Sequence, residues 1–398
     1  MSPLLAYRRL LDVAGPGYVT IAFLGRLPLA MSQLGALLLV STATGRYTAG
    51  GLAAGTLAVA NAVGAPVAGG IADRIGQRPV VLVQSLVAAV GLTTLVALVT
   101  TDATLPAIVA ASAVAGLAIP QVGPLARVRW RPMTRAAGAA QPRLVDAAFS
   151  YEGAADEASF VLGPALVGLV AVLVNPGGAL LVAAGLLAVF GCWFALHPTA
   201  EHTGPGRNGE AAPRGRLMTP QLVVLAVAQL LIGVVFGATQ TGTTVLATAE
   251  GQPGMAGLVH ALLGVGSVIA GLSVAGLPER FGYPNRLVAF AGALLVLSGP
   301  LLLVGSLGTL VPVMIGLGFA IAPYMITVFS LAERITAVGR VAAAMTLLAA
   351  ATGIGYALGS GVAGRLADVG GHRPAYGLTV LAGAAALALA VSARRRLV

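Results

Sequence analysis

The stretch Gly69–Pro79, with the sequence GGIADRIGQRP, decides the fold that we predict for this chain. It is a short, charged, glycine-rich turn between two long apolar segments. A related stretch, AGLPERFGYPNR, occupies residues 275–286 in the second half of the chain. The two stretches align Asp73 with Glu279, Arg74 with Arg280, and Gly76 with Gly282. A turn that recurs in this way indicates one structural unit that is present twice.

The composition predicts a protein of the lipid bilayer. Hydrophobic residues make up 58% of the 398 residues, and charged residues only 9%. A water-soluble protein of this size has about a quarter of its residues charged. The single cysteine, Cys192, excludes a disulfide framework and a cysteine-based metal site. We therefore expect neither a metal nor a cofactor.

Twelve segments are long and apolar enough to cross a membrane, which takes about 20 mostly apolar residues. None of them shows the period-2 alternation of a β-strand. The sequence therefore predicts an all-α integral membrane protein. The predicted spans are 18–42, 47–71, 79–101, 104–126, 146–174, 178–196, 219–247, 254–277, 287–307, 310–332, 341–364 and 375–393.

One long polar break, residues 197–218, is rich in Gly, Pro and charge, as a flexible linker is. It separates a six-helix bundle over residues 1–196 from a second bundle over residues 219–398. The fifth span contains SFVLGPALVG at 159–168, and the eleventh contains the similar GYALGSGVAG at 355–364. We expect the two bundles to be related by a pseudo-twofold axis.

Arginine alone sets the orientation, because the chain has no lysine. With the N-terminus inside, nineteen of the 23 basic residues fall on the inner side, as the positive-inside rule requires. We expect a multi-pass protein of the inner (plasma) membrane with both termini cytoplasmic. The basic charge is then a signal of topology and not of nucleic-acid binding. The inner arginines are Arg8, Arg9, Arg74, Arg78, Arg127, Arg129, Arg131, Arg135, Arg143, Arg207, Arg214, Arg216, Arg280, Arg286, Arg334, Arg340, Arg394, Arg395 and Arg396.

Twelve spans in two halves, a polar connector and the motif G-x-x-D-R-x-G-x-R-P after the second span resemble the major facilitator superfamily. The resemblance covers essentially the whole chain. In the fifth span, LGPALVG is similar to the G-P-x-x-x-G signature of the superfamily's proton-coupled drug exporters. The usual arginine of those exporters in the middle of span four is missing. The first basic residue there, Arg127, is expected at the inner end.

The resemblance implies a gating role for the two turns. In the family, the matching aspartate contacts a helix of the opposite half when the cytoplasmic side is closed. Gly69 and Gly70 at the end of span two would allow close helix packing, and Gly76 would permit the turn. The alternative is a tight turn that only connects two helices. The predicted gating residues are Gly70, Asp73, Arg74, Gly76, Arg78, Glu279 and Arg280.

Arg26 is the one arginine inside a predicted span, and such a charge is a functional candidate by default. The alternative is that its long side chain reaches the headgroups. Its expected partners are acids of the fifth span, where Glu152 and Asp156 share a helix face and Glu157 lies about 100° round. These acids either pair with arginines or carry protons, and Glu152 could simply favour a helix N-terminus. Nearby Trp130 reads as an anchor at the membrane surface.

Spans one, four, seven and ten line the central cavity in the superfamily, so their polar residues are candidates for substrate contact. Each could instead bond to a neighbouring helix. Scattered polar groups on an apolar surface suit an amphipathic small molecule. In span five, Gly163, Pro164 and Gly168 would permit close packing and a bend. The candidates for substrate contact are Arg26, Ser32, Gln33, Gln121, Gln229, Gln240, Thr241, Thr243, Tyr324 and Thr327.

Enzyme motifs are missing from the sequence, which contains no H-E-x-x-H, no G-x-S-x-G and no P-loop. Without a P-loop, transport would draw on an ion gradient rather than on ATP. We expect a monomeric secondary transporter that exports amphipathic small molecules against protons by alternating access. An importer of a small polar solute and a non-transporting receptor or scaffold are the alternatives.

Overall fold

The computed structural model of the chain describes residues 3–45, 47–203, 217–252, 255–278, 280–337 and 339–397. The described chain consists of helices and connections, without a β-strand. Twelve helical spans are long and apolar enough to cross a membrane, and they form two six-helix bundles. The predicted all-α membrane fold is confirmed. Most of the connector between the bundles, residues 204–216, lies outside the described residues.

The spans are numbered one to twelve in chain order. Their bounds are Leu4–Thr44, Ala49–Ile75, Gln77–Thr100, Leu105–Met133, Arg135–Leu173, Pro176–Leu196, Pro220–Ala249, Met255–Gly276, Tyr283–Leu303, Leu307–Ile335, Val341–Gly370 and His372–Arg396.

The first span starts well before the predicted residue 18 because a helical arm precedes it. Gly15 has a φ of 77°, which kinks the helix between the arm and the main span. Glycine adopts this left-handed conformation without the steric cost that other residues meet. The Tyr7 hydroxyl of the arm donates to the Leu272 carbonyl of span eight at 2.7 Å. The arm therefore joins the first half of the molecule to the second.

The fourth span consists of two helices, Leu105–Ala118 and Val122–Met133, separated by a break that contains Pro120. Proline lacks an N–H group and clashes with the carbonyl of the preceding turn. The Asn61 amide of span two donates to the freed carbonyls of Gly116 at 3.0 Å and Ile119 at 2.9 Å. Such compensation is required in lipid, where water cannot satisfy the backbone.

This break corrects the predicted end of span four at residue 126. The chain resumes a helix after Pro120 and continues to Met133. Arg127 and Arg129 therefore lie on a helix inside the bundle, and both are buried. Hydropathy placed them in an inner loop because it scores arginine as exposed, without counting the partners that a buried arginine can have.

The fifth span begins earlier than the predicted residue 146, since its α-helix starts at Gln141. Glu152 therefore sits in the helix interior and not near the N-terminus. The favourable interaction with a helix N-terminus, which acts only over the first turn, does not explain this acid.

Spans seven and eleven pack with their backbones in close contact. A Cβ atom added to Gly355 would lie 1.9 Å from the Leu230 carbonyl oxygen, and one added to Gly233 would lie 2.1 Å from that of Thr352. Gly237 and Gly359 extend the contact by one helical turn. Apolar burial does not drive helices together in lipid, so close packing of small residues holds this half together.

Replacing Gly355 by alanine should destabilise the second bundle, because the new methyl group would collide with rigid backbone. Overpacking of this kind costs about 1–3 kcal/mol or more. We expect a lower melting temperature and less monodisperse protein, measured by thermal unfolding in detergent and by size-exclusion chromatography. Gly353→Ala is the matched control, because an added Cβ there meets nothing within 4 Å. Equal behaviour of the two variants would contradict the packing described.

Candidate functional site

One end of the bundle carries the turn at 69–79 together with Arg131 and Arg334, and it is called the arginine-rich end below. At this end Asp73 of the first half accepts from the Ala342 N–H at 3.0 Å and the Ala343 N–H at 2.8 Å. Both amides belong to the first turn of span eleven, in the second half. A carboxylate is favourable there because these N–H groups have no partner within the helix and the dipole is positive. Asp73 thus latches the two halves together.

Glycine packing supports the latch at one of the two glycines for which it was predicted. A Cβ atom on Gly69 would lie 2.2 Å from the Thr346 hydroxyl and 2.8 Å from the Ala342 carbonyl oxygen. A Cβ atom on Gly70 would meet nothing within 4 Å. The prediction of close packing at Gly70 is therefore wrong, since adjacent helical residues point about 100° apart.

The remaining residues of the turn play different parts. Gly76 has a φ of 89°, so the predicted need for glycine is met there. Arg74, Arg78 and Arg280 are exposed, and Arg78 lies 4.0 Å from Glu201. Glu279, which stands in the second turn at the position equivalent to Asp73, lies outside the described residues.

A second set of contacts joins the halves at the same end. Arg131 of span four donates to both carboxylate oxygens of Glu333 on span ten, one of them at 2.7 Å. Asp146 of span five accepts from the Tyr283 hydroxyl and lies 3.6 Å from Arg334. The Tyr283 hydroxyl also accepts from Arg334 at 2.9 Å. This network ties spans four and five to spans nine and ten.

The acids of this network, Asp146 and Glu333, were missed by the sequence analysis. Each stands near the end of a predicted span, where a lone acid looks like an ordinary boundary residue. Their signal would have been that both face the arginine-rich end, where most other charges are positive. Which arginine each acid meets depends on the docking of the two halves.

The opposite ends of the same helices lack such close contacts at three glycines. Gly55 of span two, Gly168 of span five and Gly361 of span eleven would each accept a Cβ atom with nothing within 4 Å. Near the middle, Gly153 still packs against Ile326 of span ten, since its Cβ would lie at 2.5 Å. The contacts between halves described above thus concentrate at the arginine-rich end and the centre.

A cluster of four charges lies buried behind this closure. Arg26 of span one pairs with Glu152 at 2.6 Å and with Asp156 at 2.9 Å, and Arg127 of span four pairs with Asp156 at 2.8 Å. The side chains of Arg26, Arg127 and Glu152 are 3%, 1% and 0% exposed, and that of Asp156 is 17% exposed. Two positive and two negative charges cancel, which makes their burial tolerable. Arg26 does not extend to the headgroups, so the alternative reading of this residue is wrong.

Trp130 completes the surroundings of Glu152 and corrects a second prediction. Its ring N–H donates to the second Glu152 oxygen at 2.7 Å, and its side chain is 1% exposed. It is therefore an internal hydrogen-bond donor and not a surface anchor. The reason is again the continuation of span four beyond its break, which turns Trp130 inward.

Arg127 differs from Arg26 in how its donors are used. Arg26 donates through Nε, Nη1 and Nη2, to Ala22, Glu152 and Asp156. Arg127 donates through Nη2, whereas its buried Nε and Nη1 have no acceptor in the described part of the chain. Its guanidinium lies 4.3 Å from the ring centre of Phe329, which belongs to span ten of the other half.

Arg129 is buried without a carboxylate in contact among the described residues. It donates to Gln77, to the Phe194 carbonyl and to the Thr199 hydroxyl, each at 2.9 Å, and stacks at 3.6 Å on the Phe194 ring. These neutral partners fix the beginning of the connector to the first half. Burial, and secondarily the charge of Arg129, lower the pKa of neighbouring His197.

Glu157 is the remaining acid of span five. It is 4% exposed and forms no ion pair with the described residues, while Asp156 precedes it and Ser267 of span eight lies beside it. Its backbone carbonyl lies 3.9 Å from a Cβ built on Gly264. Glu157 therefore sits where a helix of the first half packs on a helix of the second.

Most of the predicted cavity residues satisfy their polar groups internally. Hydroxyl donors bond to backbone carbonyls: Ser32 to Pro28, Thr241 to Gly237, Thr243 to Thr239, Thr327 to Pro323, and Tyr324 to Ala228. The Gln121 amide donates to Asn61 at 2.7 Å, beside the break in span four.

The side chains of the predicted glutamines keep more polar atoms available for a ligand than the hydroxyl residues do. Gln240 is exposed and accepts from Tyr356 at 2.6 Å, and Gln33 is half-buried. Gln229 accepts from Thr352 at 3.2 Å, while its buried Nε2 has no acceptor in the described chain.

The packing motif of span five acts through one of its glycines. A Cβ atom on Gly163 would lie 2.6 Å from that of Ala30 on span one, so glycine is needed there. Gly168 has no such neighbour, and close packing is therefore not its role in this conformation. Pro164 lies within the helix between them.

The sequence of the chain matches the Major Facilitator Superfamily model over residues 19–347. No curated protein sequence matches at a significant level.

Solved structures of similar architecture are numerous, and the three described here share a low sequence identity with this chain. The human organic anion transporter MFSD10 (TETRAN) is 21% identical with a TM-score of 0.68, over 94% of this chain and 98% of that one. A bacterial homologue of the iron transporter ferroportin, in an outward-facing state with soaked iron, has 15% identity and a TM-score of 0.71 with the same coverage. The E. coli fucose:proton symporter FucP has 16% identity and a TM-score of 0.64, over 94% and 97%. These likenesses establish the fold.

Asp73→Asn should weaken the latch, because an amide gives weaker hydrogen bonds to the two helix N–H groups than a carboxylate does. A loss of about 1–2 kcal/mol corresponds to about a tenfold shift toward separation of the halves. Spin labels on exposed Ala139→Cys and Ala337→Cys, in a Cys192→Ser background, would report the distance between them at the arginine-rich end. We expect a longer-distance population in Asp73→Asn. Asp12→Asn, which changes an exposed acid, is the control. An unchanged distribution of spin-label distances in Asp73→Asn would contradict the role of Asp73 as a latch.

Exchanging the charges of Arg131 and Glu333 tests the second contact. Either Arg131→Glu or Glu333→Arg alone should favour separation, because like charges would then face each other. The double variant should restore much of the closed population, since the pair is rebuilt in reverse. The same spin-label distances provide the measurement. If the double variant is as open as the sum of the single variants, the pair does not couple the halves.

Proposed function

The chain belongs to the major facilitator superfamily, and from that premise we propose that it exports amphipathic small molecules in exchange for protons. Family and fold make it a multi-pass membrane protein and a secondary transporter. The observation that carries the proposal is the buried cluster of Arg26, Glu152, Asp156 and Arg127 beside Glu157, closed off by contacts between the halves. An acid of this group that binds a proton would raise the net charge of the group by one.

The arginine-rich end is the cytoplasmic end in this proposal. Positive charge accumulates on the cytoplasmic side of membrane proteins, and an even number of spans returns the chain to the side on which it starts. The conformation described is then closed toward the cytoplasm. The bacterial ferroportin homologue, which has a similar fold, was solved in an outward-facing state. This likeness supports a closure on the cytoplasmic side.

Asp156 and Glu157 are the proposed proton carriers. The charged and titratable groups that face Asp156 are Arg26 from span one, Arg127 from span four, and Tyr151, Glu152 and Glu157 from its own span. Protonation of Asp156 would remove one negative charge and leave the two arginines with a single acid. Glu157 lies between the halves, so a movement of the halves would change the exposure of its carboxylate to water. Its affinity for a proton depends on that exposure.

The substrate class follows from how few polar groups remain available. The predicted hydroxyl residues are largely bonded to their own helices, which leaves scattered glutamines on mainly apolar helices. A densely hydroxylated solute needs many free donors and acceptors, whereas an amphipathic one needs few. Because one chain contains both halves, a monomer suffices.

Import of a small polar solute is the second candidate. The fucose:proton symporter has this fold at a similar level of likeness, so the fold does not set the direction of transport. A scaffold without transport would have no use for breakable contacts between the halves, and we do not favour it.

Glu157→Gln and Asp156→Asn should each abolish pH-driven transport, because an amide cannot bind and release the coupled proton. In proteoliposomes with an imposed pH gradient, we expect lipophilic dyes to move against the proton flow in the wild type, and sugars not to move. Each variant should lose the dependence on pH and retain dye exchange at equal pH. Asp368→Asn, an exposed acid, is the control.

Two outcomes would contradict the proposal. Dye movement that ignores the pH gradient in the wild type would remove the proton from the scheme. Sugar movement with the proton gradient, without dye movement, would establish the importer instead.

A further inference from the structure

We propose that the N-terminal arm and the boundary between the halves form a binding site for an anionic phospholipid, which stabilises the closed state of the arginine-rich end. The arm is the helical segment 4–14 that precedes the kink at Gly15. This lipid site goes beyond the proposed function, and it does not depend on the direction of transport or on its coupling to protons.

An apolar cavity of about 640 Å³ lies under the arm. Its walls come from both halves of the molecule. Leu4 and Leu11 belong to the arm, Tyr151 belongs to span five, and Leu272 and Ser273 belong to span eight of the second half. Sites for a small ligand have volumes of about 300–1,000 Å³, so the cavity has the size of a binding site.

The polar groups in the wall of the cavity already have partners. The hydroxyls of Tyr7 and Ser273 donate to backbone carbonyls of span eight at 2.7 and 2.8 Å. The ring N–H of Trp130 donates to Glu152 at 2.7 Å. A water molecule in a cavity needs two to four polar partners, and these satisfied groups offer few. A hydrocarbon chain is therefore the favoured occupant.

Arg8 places a positive charge at the rim of the cavity. Residues spaced by four and seven positions share a helix face, so Arg8 lies on the same face as Leu4 and Leu11, which line the cavity. The Arg8 side chain is exposed. The arm carries two arginines and one acid, Asp12, so its net charge is positive. An apolar cavity with a guanidinium at its rim fits an amphiphile with an acidic head group.

The exposed side of the arm indicates that this amphiphile is a lipid of the bilayer. Leu4 is 77% exposed, Leu5 43%, Leu11 44% and Val13 43%. A helix that combines exposed apolar side chains with basic ones lies in the plane of the membrane surface. Anionic head groups attract basic residues at that depth. We therefore place one acyl chain in the cavity and the phosphate at Arg8.

The lipid stabilises the closed state because the cavity exists only while the halves are together. Separation at the arginine-rich end would move Leu272 and Ser273 away from the arm and would break the bond from Tyr7 to span eight. A ligand that binds one of two conformations shifts the equilibrium toward that conformation. An anionic lipid under the arm therefore opposes opening at this end.

Trp130 provides a reporter inside the cavity. The chain has two tryptophans, and Trp193 is 53% exposed, so Trp193→Phe leaves Trp130 as the single fluorophore. Trp130 is 1% exposed and lines the cavity, and a brominated acyl chain quenches tryptophan fluorescence only at short range. The full-length variant would be placed in nanodiscs of equal parts phosphatidylglycerol and phosphatidylcholine, with bromine on one lipid or on the other. We expect stronger quenching when phosphatidylglycerol carries the bromine.

Three variants test the position of the lipid. Arg8→Gln should lower the preference for phosphatidylglycerol by about fivefold, the contribution of one basic residue at an anionic surface. Arg9→Gln is the matched control and should retain most of the preference, because an adjacent helical residue points about 100° away. Ser273→Phe changes an exposed side chain, and its ring should fill the cavity and remove the quenching.

The effect on closure has its own measurement. The spin labels on Ala139→Cys and Ala337→Cys, in the Cys192→Ser background, report the distance between the halves at the arginine-rich end. Nanodiscs that contain phosphatidylglycerol should show a larger population of short distances than nanodiscs of phosphatidylcholine alone. Arg8→Gln should remove most of this difference, whereas Arg9→Gln should keep it.

Three outcomes would overturn the lipid site. They are equal quenching by the two brominated lipids, quenching by neither of them, and quenching that persists in Ser273→Phe. Selective quenching together with identical spin-label distances in both lipid mixtures would overturn the stabilisation of the closed state. Failure of pH-driven dye transport would leave these fluorescence results unchanged, so the lipid site and the proposed function are tested separately.

Discussion

A buried charge must be neutralised where water cannot reach it, and the centre of this molecule is arranged around that constraint. Arg26 enters the first span as an isolated charge in a long apolar segment. It is stable there because Glu152 and Asp156 meet it from the fifth span, and because Arg127 compensates the second acid. Removing Arg26 would leave the buried Glu152 without its ion-pair partner, which costs far more than the pair contributes.

The same constraint accounts for the shape of span four. The span must carry Arg127 and Arg129 deep into the bundle, and it does so on a second helix that begins after the break at Pro120. The break frees backbone carbonyls, and the Asn61 side chain satisfies them. Polar side chains here serve to repair the backbone and to pair charges. Few of them remain for a substrate, which favours a ligand that is largely apolar.

The closure at the arginine-rich end uses weaker and more reversible contacts. Asp73 bonds to helix N–H groups, and Arg131 pairs with Glu333 at a half-exposed position. The Arg131 side chain is 50% exposed and that of Glu333 is 6% exposed, so water reaches this pair more easily than the buried cluster and weakens it. Arg26, Arg127, Glu152 and Asp156 all belong to the first half, so separation of the halves does not by itself require these pairs to break. Only Phe329, which covers Arg127, comes from the other half. The molecule therefore combines a charge cluster within one half with a separable cover.

By itself the sequence determined the fold and the number of spans, and its turn motif singled out Asp73 through the resemblance to the superfamily. Hydropathy over about 20 residues is a local property, and the turn motif lies in one continuous stretch, so neither requires knowledge of distant contacts. The sequence also predicted the pairing of Arg26 with the acids of span five, because a charge inside the lipid bilayer needs an opposite charge close to it. The tertiary structure alone decided the burial of Trp130 and Arg129, the choice of Gly69 over Gly70, and the pairing of Arg131 with Glu333. Each of these depends on the rotation and docking of helices that are far apart in the chain, and a side chain that is polar or charged carries no local signal of which distant partner will satisfy it.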